Sequence, residues 1–212
     1  MNAQLILLLA AFVVAPPDSS SIAERLDAGD WQKAERLSAK LAKRQAHGLT
    51  GPSAARALAQ TSALRGVAFE RMGRLEDAHW YWHMALMLDA TMAEATLAGY
   101  PQSRPLLAVP PREQHSEDDQ ETCIRPPRPL KQPDKVYPKA SKRTRDEPAQ
   151  VLVSAIVSEE GQATLPLLVH SNVDAPWIYF AFESVRGMPF DAGTRNGRPH
   201  PCGFLFNFQF ID

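Results

Sequence analysis

The sequence predicts an α+β protein: antiparallel helix pairs in front and, behind them, a small three-stranded antiparallel sheet packed on one helix in the order ββαβ. Three observations predict it. Phe204, Phe206, Phe208 and Phe210 recur at every second position, so an extended chain sends four rings to one face and Leu205, Asn207 and Gln209 to the other. At helical spacing the same rings would scatter around the axis. Between residues 22 and 88 the apolar residues instead recur at helical spacing, broken by Gly29, Gly48, Gly51 and Gly73. Finally, of 18 prolines most lie beyond residue 100, which sets a proline-poor front against a proline-rich middle.

At 212 residues, with 44% hydrophobic residues and a formal net charge of -1, the chain has room for two small domains. Nothing in these totals points to nucleic acid or to a wholly disordered chain. The expected divisions are a signal peptide over 1–15, a helical domain over 21–99, a proline-rich linker over 100–134 and the sheet domain over 135–212.

Leu5 to Ala15 form an unbroken apolar run ahead of Pro16-Pro17-Asp18-Ser19. Its length suits the hydrophobic core of a secretory signal and falls short of the ~20 residues that span a bilayer. Export is therefore expected, with no transmembrane helix in the mature chain; the alternative is a buried N-terminal helix. No Cys follows the run, so no lipid anchor is expected.

The helices follow in order. Ser21 is placed to cap a short helix over 22–26 that stops near Gly29, and a second runs from Trp31 to about Ala46. A turn over 48–52 leads to helix 53–72, which breaks at Gly73 before helix 75–88. In that last helix Leu75, Ala78, Trp82, Ala85 and Leu86 make one apolar stripe, and Trp80, Met84 and Met87 make another. The second stripe is expected to pack on a capping helix near 91–98 or on another subunit, the latter being an expectation of self-association; the alternative is a free ligand groove.

Gly66, Ala68, Phe69, Gly73, Ala78, Trp82, Ala85 and Leu86 fall where the tetratricopeptide repeat places small or aromatic residues, and residues 65–95 resemble that repeat. Small side chains let paired helices approach, while Trp82 and Phe69 fill the space between. Gly29-Asp30-Trp31-Gln32-Lys33-Ala34 echoes Gly73-Arg74-Leu75-Glu76-Asp77-Ala78, at an offset longer than the usual ~34 residues.

From Tyr100 to Asp134 helical periodicity is lost and proline accumulates, which favours an extended spacer. Its charges are segregated. Glu113, Glu117, Asp118, Asp119 and Glu121 form an acidic run, whereas 125–145 holds eight Lys or Arg against Asp134. The basic stretch reads as a solvated linker or as an attraction to an anionic surface.

The rear of the chain reads as helix or turn over 137–145, strand 150–158, a turn at Glu159-Glu160-Gly161, strand 162–170, helix 175–186, an irregular stretch over 187–201 and the phenylalanine strand. Val151, Val153, Ala155 and Val157 share one face, and the helix bearing Trp177 is the expected cover for the phenylalanine row. Pro166 places its strand at an outer edge or a bulge.

Tyr137-Pro138, Glu160-Gly161, Ser171 and the stretch from Phe190 to Pro199 stand where the TonB C-terminal domain has its opening Tyr-Pro, its hairpin turn, the end of its second strand and the approach to its last strand. Residues 124–212 resemble that family. Ala192-Gly193, Met188 and Pro148-Ala149 depart from its pattern. The resemblance implies a periplasmic location and a last strand at a sheet edge, where a partner's extended segment docks along Gly203, Leu205, Asn207 and Gln209. Phe204, Phe206, Phe208 and Phe210, with Trp177 and Trp82, are the expected core. The other reading has the edge covered by the linker near Ile124.

The only cysteines are Cys123 and Cys202, without zinc-type spacing. In an oxidising compartment they can bridge the linker to the last strand, a closure worth roughly 4 kcal/mol in the chain-entropy picture; otherwise they are unrelated thiols. His79 and His83 are spaced to grip a metal on one helix face, yet no Glu follows in H-E-x-x-H order, so ordinary surface histidines are expected and no metal. No phosphate loop or nucleophile motif occurs, and neither catalytic residues nor a cofactor is expected. The leading expectation is a periplasmic, non-enzymatic adaptor joining protein partners of the cell envelope. Its rivals are an energy transducer for outer-membrane receptors, as the TonB resemblance implies, and a metal-dependent enzyme.

Overall fold

The computed structural model describes residues 18–103, 123–132, 138 and 149–210. Four helices come first: α1 (Ser19–Asp27), α2 (Trp31–Gly48), α3 (Gly51–Arg71) and α4 (Leu75–Ala98). Asp18, and not Ser21, caps α1, because its carboxylate accepts the Ser21 backbone N–H at 2.9 Å and the hydroxyls of Ser20 and Ser21 as well. Gly29 and Gly73 turn the chain between helices at φ near +75°, a backbone that glycine adopts without strain.

Helix α4 joins the two expected segments, 75–88 and 91–98, through a kink. Asp89 leaves the helical region (φ -162°, ψ 98°) and its side chain accepts the Met92 N–H at 3.0 Å, so it restarts the helix after breaking it. Helices α3 and α4 pack closely because Gly66 lies against the backbone of Ala78 and Trp82. Trp82 is buried between them.

The rear unit holds β2 (Ala149–Val157), β3 (Ala163–Ser171), α5 (Ala175–Arg186) and β7 (Cys202–Phe210), with four two-residue strands: β1 (Arg128–Pro129), β4 (Phe190–Asp191), β5 (Thr194–Arg195) and β6 (Arg198–Pro199). The main sheet is antiparallel in the order β3-β2-β7. Along β2 buried and half-buried residues alternate, with Val151, Val153, Ala155 and Val157 inward. The stretch expected to be irregular contains β4 and a tight hairpin of β5 and β6, turned by Asn196-Gly197 with both φ positive. The helix or turn expected over 137–145 lies outside the described residues apart from Pro138.

The helical layer and the sheet share one core. The second stripe of α4 is not left as a free groove but meets α5 and β3: Trp80 faces the Phe182 ring of α5 at 6.1 Å between centroids, and the Met87 sulfur accepts the Leu168 N–H of β3 at 2.9 Å. Trp80, Met84 and Phe182 are fully buried, each such side chain contributing about 1.5–3 kcal/mol. Leu75, expected in the first stripe, is instead 53% exposed at the start of α4. Helix α5 is thus buried on both sides, between α2–α4 and the sheet, and most of its residues are out of water.

Polar ties cross the same junction. Arg65 of α3 donates to Glu35 of α2 at 2.8 Å and to Glu183 of α5 at 3.3 Å. Arg186 of α5 pairs with Asp77 of α4, and the Gly51 N–H donates to Asp174, which precedes α5, at 3.3 Å. Burial lowers the proton affinity of the Arg65 guanidinium, but Tyr81, Glu183, Tyr179 and Glu35 raise it by more, so it is held charged. Burial, reinforced by Glu183, pushes the hydroxyls of Tyr81 and Tyr179 well above the usual tyrosine range.

Candidate functional site

The two edges of the sheet are built differently. At the β3 edge the ladder is irregular: its register to β2 shifts twice, Leu165 takes φ 47°, Pro166 follows it, and the backbone N–H of Leu168 is taken by Met87. Each of these features blunts an edge. At the β7 edge none of them occurs. Nine successive residues, Cys202 to Phe210, pair with β2 without a shift, and residues 203–210 carry neither charge nor proline. Among the described residues, no backbone group other than those of β2 bonds to residues 203–207.

The side chains of β7 alternate as its sequence requires. Leu205 is 53% exposed on the outer face, Asn207 and Gln209 are exposed beside it, and Gly203 is half-buried. Asn207 accepts from the Gln150 amide of β2 at 3.0 Å, which holds that side chain along the sheet. On the inner face Phe206 is buried, and Phe204 and Phe208 are half-buried against the core. The side chain of Phe210 lies outside the described residues.

The cover of this row differs from the expected one. Helix α5 lies over β2 and β3, and Trp177 is buried in it. Over β7 it is Phe190 of β4 that packs, its ring 5.9 Å from Phe204 and 5.5 Å from Phe206 between centroids. A helix axis needs about 10 Å of width and covers two strands 4.8 Å apart, so a third needs a cover of its own. Phe190 was placed by resemblance at the approach to the last strand but was not expected in the core; an aromatic isolated among Gly, Pro and Asp was the signal in the residues themselves.

Cys123 and Cys202 form a disulfide, with Cα atoms 6.2 Å apart. It ties the linker to the first residue of β7. The linker was expected to be a bare spacer or to lie across the β7 edge; its described part does neither. Arg125 bridges Thr194, and β1 pairs with β4. Arg125 also donates to Asp191 at 2.6 Å. Gly193 is obligatory there, because a Cβ would collide with the Cys202 sulfur. These contacts gather at the Cys202 end of β7.

His83 is a buried residue and not a surface one; its Nε2 has no hydrogen-bond partner among the described residues, and burial lowers its affinity for a proton, as it does for His79. Among the described residues no group of three His, Cys, Asp or Glu is arranged to hold a metal ion, and no helix is long and apolar enough to cross a membrane.

Comparison with protein-family models, with curated proteins and with solved structures finds no match to this chain.

Proposed function

We propose that this protein is a non-enzymatic adaptor of the cell envelope, in which the outer edge of β7 takes up an extended segment of a partner protein as a fourth strand. One observation carries the reading: the sheet is plugged at β3, whereas β7 runs in one unbroken register beside β2 and carries neither charge nor proline over 203–210. Backbone hydrogen bonds along 203–209 supply the affinity, and the side chains of Leu205, Asn207 and Gln209 flank the incoming strand and select its sequence. The half-buried Phe204 and Phe208 offer apolar surface to its inward-facing residues. The disulfide supports an exported, oxidised location. The likeness of 124–212 to TonB C-terminal domains, and of 65–95 to a tetratricopeptide repeat, is in keeping with a protein-binding role.

The test uses the oxidised protein as bait for envelope proteins, followed by amide hydrogen exchange on the complex it forms. A bound partner is expected to slow exchange within 203–209 and nowhere along β3. The double substitution Leu205→Lys/Asn207→Lys places charge on an exposed rim and should abolish capture while moving the melting temperature little. Protection that maps elsewhere, or capture unaffected by the two lysines, would sink the proposal.

A further inference from the structure

A second surface, on the helical layer and remote in sequence from β7, has the make-up of a peptide site. The turn between α1 and α2 and the turn between α3 and α4 enclose a hollow of about 870 Å³ that holds Trp31, Arg36, Arg71, Met72 and Arg74. Its carboxylates are already engaged: Asp30 pairs with Arg25 at 3.6 Å and Glu35 with Arg65 at 2.8 Å. Its cations are not all so placed. Arg74 pairs with Asp77, but Arg36 reaches only the Gln32 carbonyl and Arg71 only the Gln102 side chain, so among the described residues neither faces a carboxylate. Beside them Trp31 leaves 38% of its surface in water. An adjoining hollow of about 800 Å³ shares Glu35 and Arg74 and extends the path to Lys131 and to Leu130, which is 66% exposed.

We infer that this groove binds an acidic, extended peptide segment of a partner protein. Two uncompensated guanidinium groups in a chain of net charge -1 create a local positive field. Each presents a planar fork that matches a carboxylate. Trp31 and Leu130 provide apolar contacts at the two ends, so the occupant is a peptide with large apolar residues among its carboxylates and not a small free anion. The inference is independent of β7: it would give the adaptor a second hand.

The experiment is fluorescence anisotropy of the whole oxidised protein with a pool of labelled dodecapeptides that carry four Asp or Glu and two large apolar residues. Saturable binding that weakens with added salt is expected, with the Asn/Gln versions of the same peptides at least about tenfold weaker. Arg36→Glu/Arg71→Glu, at two surface positions, should cost at least about tenfold in affinity with an unchanged melting temperature, and Trp31→Ala should weaken binding without changing its salt dependence. Leu205→Lys/Asn207→Lys should leave this binding intact, which separates it from strand docking. Failure of the whole pool to bind, equal affinity for the neutral peptides, or indifference to the charge reversal overturns the inference. So does equal binding of inorganic polyphosphate. Binding that appears only when the chain's own acidic residues 113–121 are neutralised reassigns the groove to that run and overturns a partner's claim to it.

Discussion

Arg65 shows how much of this molecule rests on single side chains at the junction. It donates to Glu35 on one helix and Glu183 on another, while its guanidinium stands 4.1 Å from the centre of the Tyr81 ring. Arg65→Ala would strand two carboxylates in a largely dry junction, and a loss of about 3–5 kcal/mol in urea unfolding is expected. Arg65→Lys restores the charge without the fork, so it should recover only part of that loss. If the alanine variant lost less than about 1 kcal/mol, the three groups would be a surface cluster and not a clamp. None of this was legible beforehand. Arg65 was read only as the first residue of a repeat-like stretch, and its partners stand 30 and 118 residues away. Cys123 and Cys202 were easier, because two cysteines allow only one intrachain bridge.

Among the elements, the hairpin between β2 and β3 carries the sharpest demand. Gly161 sits at φ 75°, its carbonyl accepts the Phe190 N–H at 3.0 Å, and a Cβ there would strike the Phe190 carbonyl oxygen. The turn therefore sets the position of Phe190, which in turn covers Phe204 and Phe206. Gly161→Ala should lower stability by about 2–4 kcal/mol by urea titration, combining a strained backbone with a collision. The same substitution at Gly197, also at φ 75° but with open space around it, should cost only about 1–2 kcal/mol. Elements with a strong period were readable from sequence: β2 and β7 from alternation, α5 from its apolar density, and α2 to α4 from glycine breaks. The strands β1, β4, β5 and β6 were not, since two residues hold no period, and β1 and β4 in addition pair from segments far apart in the chain.

At the scale of the whole molecule, helices and sheet form a single hydrophobic core, running from Ile22 and Leu26 through Trp80 and Phe182 to Val153 and Phe206. Helix α5 belongs to both halves at once. The outward stripe of α4 could be read from the sequence; what covered it could not, because the partner of an apolar face is a property of the fold and not of the stripe. Shared burial predicts shared fate. Amides in α3 and in β2 should exchange with the same free energy under native conditions, and helical and aromatic signals should melt together. Separate transitions, with the helices lost first, would mean that the junction contributes little.

The bond between Cys123 and Cys202 spans 79 residues and encircles all of β2, β3 and α5. A protease that severs the backbone once anywhere inside that ring makes two chains but leaves one molecule. The fragments stay bolted at the foot of the last strand and separate only when a reductant opens the bond, so a single nick inside the ring need not dismantle the sheet.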